Sequence, residues 1–294
     1  MTHYKRVGIT AKSGLDDKCE TVDAIIRIIQ GTGSEVLMDS KRKGALECAS
    51  DLSEFTNESE IDLLIVIGGD GTILRSVREL SDCTTPILSV NKGRVGFLAE
   101  VEFSEAETLL PELLSGGGVI DERKLLHVVA KRSDDIILEG FALNEAVIAQ
   151  GTIARLVDLK TSVNGESLTT FHADGLILST PTGSTAYSLS SGGPIVHPTL
   201  DAMILTPINP HSFSQKPVVL RSDALVEVEV QTKNNKYKDS GVVLTLDGQV
   251  YKEVQRGDII SVTQDTRTVK FLRRKQDMFF GTLRQKLKWG ERVD

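Results

Sequence analysis

The chain has 294 residues, of which 40% are hydrophobic and 26% are charged, and its formal net charge at pH 7 is −7. This length predicts two domains with buried cores, and the composition is typical of globular proteins. The negative charge argues against nucleic acid as a partner, and no apolar run is long enough to cross a membrane. Three widely spaced cysteines and an N-terminus without a signal-peptide pattern predict free thiols and a cytoplasmic location.

The N-terminal part of the sequence alternates short apolar strands with amphipathic helices. The predicted strands are residues 7–10, 35–38, 61–67 and 86–90. The predicted helices are residues 16–30, a weakly marked segment near 44–50, a segment after residue 71, and 103–114 with Pro111 late in it. This alternation predicts an α/β domain with a parallel, doubly wound sheet, whose binding sites lie at the carboxyl ends of the strands.

The most informative stretch is the turn at residues 68–72, GGDGT, which joins a buried strand to a helical pattern. Glycines allow a ligand to approach the backbone closely, and the helix N-terminus favours an anion. The turn therefore predicts phosphate binding. Asp70, in its middle, would repel a bare phosphate, but it is suited to hold a metal ion or to take a proton from an attacking hydroxyl.

The same turn has a simpler interpretation, in which the glycines relieve steric crowding and Asp70 or Thr72 caps the helix. It is not a Walker A loop, because no Gly-Lys-Ser/Thr follows, and Leu74 stands where a dinucleotide fingerprint has a third Gly or Ala. The loop at 91–96, NKGRVG, follows the next strand, so its basic residues Lys92 and Arg94 are expected either to meet phosphate or to form a solvated turn.

A glycine-rich segment at 115–118 predicts a linker, and strand-like runs follow it. These runs are residues 119–132, 136–150, 154–163, 167–171, 174–180, 202–208, 218–230, 242–246 and 258–263. Asn164-Gly165 predicts a hairpin turn, and the helical pattern of Met278, Phe279, Leu283 and Leu287 predicts a packing helix that returns to the first domain. The predicted domains are an α/β domain at 1–118 with 272–294, and a β-rich, mostly antiparallel domain at 119–271.

A second dense stretch of functional residue types is 172–198, HADGLILSTPTGSTAYSLSSGGPIVHP. A strand leads into a crowd of hydroxyl and glycine residues, which offer donors and backbone amides to sugar hydroxyls and phosphates. Tyr187 is suited to stack on a base or ring. The alternative is a Ser/Thr-rich surface loop, which the apolar strand directly before it argues against.

The GGDGT turn and residues 174–198 together resemble the NAD kinase family. Four further pieces agree and follow the family's order: NKGRVGFLAE at 91–100, Asn144-Glu145, PHSFSQKP at 210–217 and LDGQ at 246–249. GGDGT is shared with lipid kinases and phosphofructokinases, whereas TPTGSTAYSLSSGGP is specific. His172 departs from the family pattern, because many bacterial members carry Arg or Gly there, and this position is thought to bear on the choice between NAD and NADH.

The resemblance implies transfer of the ATP γ-phosphoryl group to the adenosine 2′-hydroxyl of NAD. It implies Asp70 as the catalytic base, Mg carried mainly by the nucleotide phosphates with no protein ligand assigned, and a homodimer or homotetramer formed through the β-rich domain. The implied phosphate-binding residues are Gly68, Gly69, Gly71, Thr72 and Arg94. The implied NAD-binding residues are Gly71, Phe97, Asn144, Glu145, His172, Asp174, Thr182, Thr185, Ala186, Tyr187, Ser190, His211 and Gln249.

Two other functions stay open at this point: a GGDGT-type kinase acting on a lipid or sugar phosphate, and a non-catalytic module that senses nucleotide. The net charge and the absence of a basic amphipathic stretch argue against a lipid kinase, and the presence of Asp70 argues against a sensing module. Glu145 is a rival to Asp70, as a ligand of metal or ribose. Asp247 is a weaker rival, since Asp-Gly is also an ordinary turn sequence.

Overall fold

The computed structural model describes residues 3–11, 18–44, 47–80, 83–93, 96–151, 156–231, 241–275 and 279–289. The chain divides into two compact units. The first comprises Met1–Glu122 and Val269–Asp294, and the second comprises Arg123–Thr268. None of the helices in the described ranges has the length and apolar character needed to span a bilayer.

The first unit is built on a parallel sheet. Its strands are β1 (Arg6–Ala11), β2 (Glu35–Asp39), β3 (Ser53–Phe55), β4 (Leu63–Ile67), β5 (Ile87–Asn91) and β6 (Val101–Glu102). The order is β3-β2-β1-β4-β5, with β6 beside β5, and every one of these pairs is parallel. The predicted doubly wound sheet is confirmed. The order reverses between β1 and β4, and ligands of such sheets bind outside the carboxyl ends of the strands at that point.

Helices pack on this sheet. In the described part of the first unit's N-terminal segment they are α1 (Lys18–Gly31), α2 (Ser40–Lys43), α3 (Asp70–Glu79) and α4 (Ala106–Glu112). In α1, Val22, Ile25 and Ile29 are fully buried in the same core as strand residues Ile9 and Ile65. These positions recur at the period of a helix, which is why the apolar pattern of this segment predicts it.

The predicted helix near 44–50 is wrong. α2 ends before it, and Glu47–Ala49 form only a 3-10 turn. The helix forms earlier because the carboxylate of Asp39, at the end of β2, accepts the backbone amide of Lys41 and so caps α2. A capping side chain at the strand end thus decides where the turn of helix begins.

The predicted helix at 103–114 is divided into three parts. Phe103–Glu105 form a 3-10 turn, α4 follows with Pro111 inside it, and Leu113–Gly117 form a π-helical turn. Gly116 has a φ of 91°, a left-handed conformation that glycine adopts without strain. The helix therefore ends at Gly116 and not at Pro111.

The second unit is an antiparallel β-sandwich. Its strands are β7 (Val119–Arg132), β8 (Asp135–Ala142), β9 (Glu145–Gln150), β10 (Val157–Val163), β11 (Glu166–Ala173), β12 (Gly175–Ser179), β13 (Ala202–Ile208), β14 (Val218–Arg221), β15 (Val226–Val230), β16 (Val242–Leu246), β17 (Val250–Val254) and β18 (Ile259–Arg273), of which β7 starts and β18 ends in the first unit. Six of these strands form a sheet with the order β14-β13-β12-β9-β16-β17. Four others are hydrogen-bonded side by side in the order β11-β10-β15-β18. Phe171, Leu176, Val228 and Leu244 from these strands share one core, which confirms the predicted β-rich fold.

Several strand predictions differ from the structure in their bounds. The run at 136–150 is broken at Leu143 and Asn144 into β8 and β9, and the run at 218–230 is broken into β14 and β15. β3, β6 and β17 were not predicted, and β18 extends well beyond 263. The hairpin at Asn164-Gly165 is confirmed: φ values of 52° and 80° turn the chain from β10 into β11.

Three further short helical segments lie in the described residues of the two units. In the second unit, a 3-10 turn at Thr182–Thr185 is followed by α5 (Tyr187–Ser190). In the first unit, α6 (Phe279–Leu287) buries Leu283 and confirms the predicted C-terminal helix. Met278, predicted on the same helical face, lies outside the described residues.

Candidate active site

The GGDGT turn lies at the carboxyl end of β4, where the strand order of the first unit reverses. Gly68 has a φ of 155°, and a Cβ at this position would lie 2.5 Å from Oγ1 of Thr72. Gly69 is the N-cap of α3, and its carbonyl accepts the backbone amide of Thr72 at 2.8 Å. No side chain caps this helix, so the interpretation of Asp70 or Thr72 as a cap is wrong. The positive end of the α3 dipole at this turn favours a bound anion.

Asp70 is held by the segment that follows β5. Its Oδ2 accepts the backbone amide of Phe97 at 3.2 Å, and its Oδ1 accepts that of Leu98 at 3.3 Å. Gly96 allows this approach, because a Cβ there would overlap the Asp70 carboxylate. The loop after β5 and the GGDGT turn therefore meet, through the backbone amides of Phe97 and Leu98. Lys92 is exposed, and Arg94 lies outside the described residues.

In the second unit, Asp247 organises the break between β8 and β9. Its carboxylate accepts three backbone amides, those of Leu143 at 2.9 Å, Asn144 at 2.8 Å and Glu145 at 3.1 Å. Asp247 and Gly248 form the β16–β17 turn with φ values of 50° and 63°. With three amide donors, the Asp247 carboxylate anchors the backbone of the Asn144-Glu145 pair. Sequence reasoning missed this role; its signal was the Asp-Gly turn within LDGQ.

Glu145 is buried without a full set of hydrogen bonds. It is 7% exposed, and its Oε2 has no hydrogen-bond partner. Burial, followed by the nearby charge of Asp247, raises the pKa of Glu145 to about 7, while the backbone amide of Tyr187 opposes this shift. On the neighbouring strand, directly opposite, the fully buried Ser179 also has a hydroxyl without a partner. Buried polar atoms of this kind are uncommon in folded proteins, and the two residues are register partners on adjacent strands.

Much of the hydroxyl-rich stretch after β12 stabilises the fold. Thr180 Oγ1 donates to the carbonyl of Leu143 at 2.6 Å, Ser184 Oγ donates to that of Pro181 at 2.6 Å, and Ser188 shares a 2.9 Å hydrogen bond with Thr206. These hydroxyls are buried, so they shape the loop and do not face solvent.

Other residues of this stretch lie beside Asn144 or at the surface. Gly183 packs so closely that a Cβ there would overlap the Asn144 carbonyl. Thr182 Oγ1 accepts from Arg123 Nη1 at 3.3 Å, and Thr185 Oγ1 donates to the Thr182 carbonyl at 3.2 Å. Within this stretch, the predicted NAD-binding residues with solvent access are Thr185, Ala186, Tyr187 and Ser190.

The remaining predicted residues lie mostly at the other end of β12. His172 Nδ1 is 2.6 Å from Oδ1 of Asp158, and the rings of His172 and His211 meet edge-on with centroids 5.8 Å apart. Asp174 precedes β12 and accepts a 2.9 Å hydrogen bond from Asn209. The five residues of β12 separate this group from Glu145 by about 17 Å, a length that suits an extended dinucleotide. Gln249 is in the β16–β17 turn, where its backbone amide donates to the Leu246 carbonyl at 2.9 Å.

An acid fixed at a glycine-rich helix N-terminus, with a second group of acids and amides in a β-sandwich, defines a nucleotide-binding phosphotransferase. Family models agree with this class. The N-terminal domain of ATP-NAD kinases matches residues 7–118, and the C-terminal domain of ATP-NAD kinases matches residues 143–274. The NAD kinase of Geotalea daltonii is 39% identical over 289 residues, 98% of this chain and 100% of the relative. The NAD kinase of Geobacter metallireducens is 46% identical over 231 residues, 79% of this chain and 80% of the relative.

Solved structures are similar over nearly the whole chain. A yeast NADH kinase complexed with NADH has a TM-score of 0.85 at 26% identity, covering 99% of this chain and 89% of its own. An NAD kinase from Archaeoglobus fulgidus in complex with ATP has a TM-score of 0.75 at 26% identity, covering 96% of this chain and 98% of its own. This chain therefore belongs to the NAD kinase family, and the resemblance seen in the sequence is confirmed.

Proposed function

We propose that this protein transfers the γ-phosphoryl group of ATP to the adenosine 2′-hydroxyl of NAD and so makes NADP. The family and its relatives support ATP-dependent phosphorylation of NAD. The observation that carries the mechanism is the Asp70 carboxylate, which two backbone amides hold at the N-terminus of α3. Phosphoryl transfer depends on positioning, on neutralising phosphate charge and on a path for the hydroxyl proton.

In the proposed reaction Asp70 orients the attacking hydroxyl and takes its proton. As the 2′-oxygen forms a bond to the γ-phosphorus, the bond from phosphorus to the β–γ bridging oxygen breaks and ADP leaves. The carboxylate oxygens that accept the amides of Phe97 and Leu98 keep further lone pairs for the hydroxyl. The turn and the positive end of α3 stabilise charge on the transferred group, and the residues proposed to contact phosphate are Gly68, Gly69, Gly71 and Thr72, with Arg94.

For NAD binding we propose two groups at opposite ends of β12. Asn144, Glu145, Thr182 and Tyr187 hold the adenylate part, supported by the unpartnered Glu145 oxygen and the exposed ring of Tyr187. Asp174, with His172 and His211, binds toward the nicotinamide end, and the contact of His172 Nδ1 with Asp158 Oδ1 supports a fixed orientation of that ring. Phe97, Thr185, Ala186, Ser190 and Gln249 stay predictions from the family pattern.

Among the described residues, no group of three or more His, Cys, Asp or Glu is arranged to hold a metal ion. We propose that Mg enters with the ATP phosphates, with no side chain assigned as its ligand. The three free cysteines support a cytoplasmic location.

Exposed Val219 and Tyr251, on the edge strands β14 and β17, support a homodimer or homotetramer formed by the second unit.

A coupled assay tests the reaction and the base together. The protein is incubated with Mg-ATP and NAD, product is detected with a dehydrogenase that accepts only NADP, and NADH is tested in parallel. We expect NADP formation that falls at least 1,000-fold in Asp70→Asn, because a neutral amide takes no proton. Full turnover in that variant would remove Asp70 as the base. NAD binding without any product from the wild type would instead favour a sensing module.

A further inference from the structure

We propose that Ser89, Glu100 and Arg273 are positioning residues for phosphoryl transfer, which act on Asp70 through the backbone of Leu98. The inference rests on the proposed function, in which Asp70 is the base. All of these residues belong to the first unit, and Arg273 comes from the C-terminal segment that completes it.

The backbone of Leu98 is bonded on both sides. Its amide donates to Asp70 Oδ1 at 3.3 Å, and its carbonyl accepts from Arg273 Nη1 at 3.0 Å and from Ser89 Oγ at 3.2 Å. Leu98 is 2% exposed, so the surrounding protein encloses this residue. The amide and the carbonyl of Leu98 belong to two successive planar peptide groups that share its Cα. Anchoring the carbonyl therefore limits how far the backbone of this buried residue, and with it the amide that donates to Asp70, can move.

Glu100 extends this anchoring by two residues. Its amide donates to Ser89 Oγ at 2.9 Å, so the one hydroxyl bonds backbone groups of both Leu98 and Glu100. Its carboxylate pairs with Arg273 at 2.9 Å and with Arg274 at 3.0 Å. The segment that approaches Asp70 is thereby tied to β5 by Ser89 and to the C-terminal segment by both arginines.

The burial of these charges argues for a role beyond stability. The Arg273 side chain is 12% exposed and that of Glu100 is 7% exposed. Buried ion pairs stabilise a fold little compared with well-packed apolar residues, because both charges lose their hydration. They do fix geometry, however, since an arginine fork accepts few arrangements of its acceptors. Here Nη1 of Arg273 donates both to the Leu98 carbonyl and to the Glu100 carboxylate. It therefore fixes the position of the Leu98 backbone relative to the Glu100 side chain.

The first test compares Ser89→Ala and Arg273→Lys with matched controls. Ser34→Ala removes another buried hydroxyl that donates to a carbonyl, that of Tyr4, before β2. Arg132→Lys removes a bidentate pair with the buried Asp258 in the second unit. We expect kcat to fall at least tenfold in Ser89→Ala and Arg273→Lys, with KM for NAD and ATP within twofold. The controls should lose similar thermal stability and keep kcat.

The second test places Ser89→Ala in the Asp70→Asn background and measures residual turnover with radiolabelled ATP. If Ser89 acts through the Asp70 carboxylate, the second substitution lowers the residual rate by less than twofold. The same tenfold loss in both backgrounds would overturn the proposal, as would an unchanged kcat in the single variants. The effect of Asp70→Asn alone reports separately on the proposed base, so failure of the function and failure of the positioning role give different results.

Discussion

At the residue scale, the carboxylates of Asp70, Glu145 and Asp247 have different surroundings. Asp247 accepts three amides and anchors backbone, and Asp70 accepts two and keeps capacity for a hydroxyl proton. Glu145 is buried with one oxygen unpartnered. Environment thus assigns each acid a different task, as in other enzymes that use several carboxylates.

Glu145→Gln should change how stability depends on pH. The raised pKa, about 7 against 4.5, means that the folded state holds the proton longer, so stability falls as pH rises from about 4.5 to about 7 and the loss is complete above that. Removing the titrating group should therefore stabilise the protein more at pH 8 than at pH 5, with a ceiling of about 3 kcal/mol for the difference. Urea unfolding at both pH values measures it.

The exposed Glu166 on β11 supplies a control for that experiment. Glu166→Gln replaces a carboxylate at the protein surface, so burial does not contribute to its effect on the free energy of unfolding at either pH. A pH-independent effect of Glu145→Gln would mean that the burial of Glu145 does not perturb its titration in solution.

At the element scale, the site depends on close approach between a turn and a neighbouring segment. In the first unit the 96–98 segment lies against Asp70, and in the second unit the turn at Thr182–Thr185 lies against Asn144. A glycine stands at each contact, Gly96 and Gly183, because a side chain would overlap its neighbour. Each glycine is needed because the two segments come close together, and neither is needed for a left-handed φ.

Gly96→Ala should lower kcat at least tenfold. The added methyl group would overlap the Asp70 carboxylate, so the carboxylate or the Phe97 and Leu98 amides must move, and displacements of this size are costly in phosphoryl transfer. Steady-state assays of kcat and KM for both substrates measure the effect. Gly93→Ala, in the same loop with no atom near its added Cβ, should stay within twofold of wild type, and equal activities of the two variants would contradict the proposed contact.

At the scale of the whole molecule, each unit has a core of its own. The first core lies between the parallel sheet and its helices, and the second lies between the antiparallel strands. The C-terminal segment belongs to the first unit, to which it contributes Leu272 of the core and the Arg273–Glu100 pair. The chain therefore leaves the first unit and returns to complete it.

NAD should stabilise the folded protein by mass action. At about 100 times its dissociation constant, NAD adds about 2.7 kcal/mol to the free energy of unfolding, and Asp70→Asn should respond equally because the base is not needed for binding. Tyr187→Ala should lose about half of this effect, since loss of stacking weakens NAD binding roughly tenfold. Thermal unfolding with and without NAD provides the measurement, with Trp289→Ala as a control for an exposed aromatic side chain in the first unit. An unaltered shift in Tyr187→Ala would remove Tyr187 from the site.

The sequence by itself determined the class of each unit and the two dense stretches of functional residues. Local rules suffice for this, because apolar period, strand-ending glycines and the Asn-Gly turn act over a few residues. It therefore located GGDGT at a strand end and β10–β11 as a hairpin. The sequence did not predict the bounds of α2, because a capping side chain decides them. It also did not predict the break at Leu143 and Asn144 or the strand β17, because pairing with other strands decides these features.

Only the tertiary structure decided which groups surround each acid. Asp70 meets amides 27 and 28 residues away, and Asp247 meets amides more than 100 residues away. Burial of Glu145 and its raised pKa follow from neighbours contributed by distant strands. Arg273 lies 175 residues from the Leu98 carbonyl that it contacts. Such contacts arise when folded elements pack, and no short-range pattern in the chain encodes them.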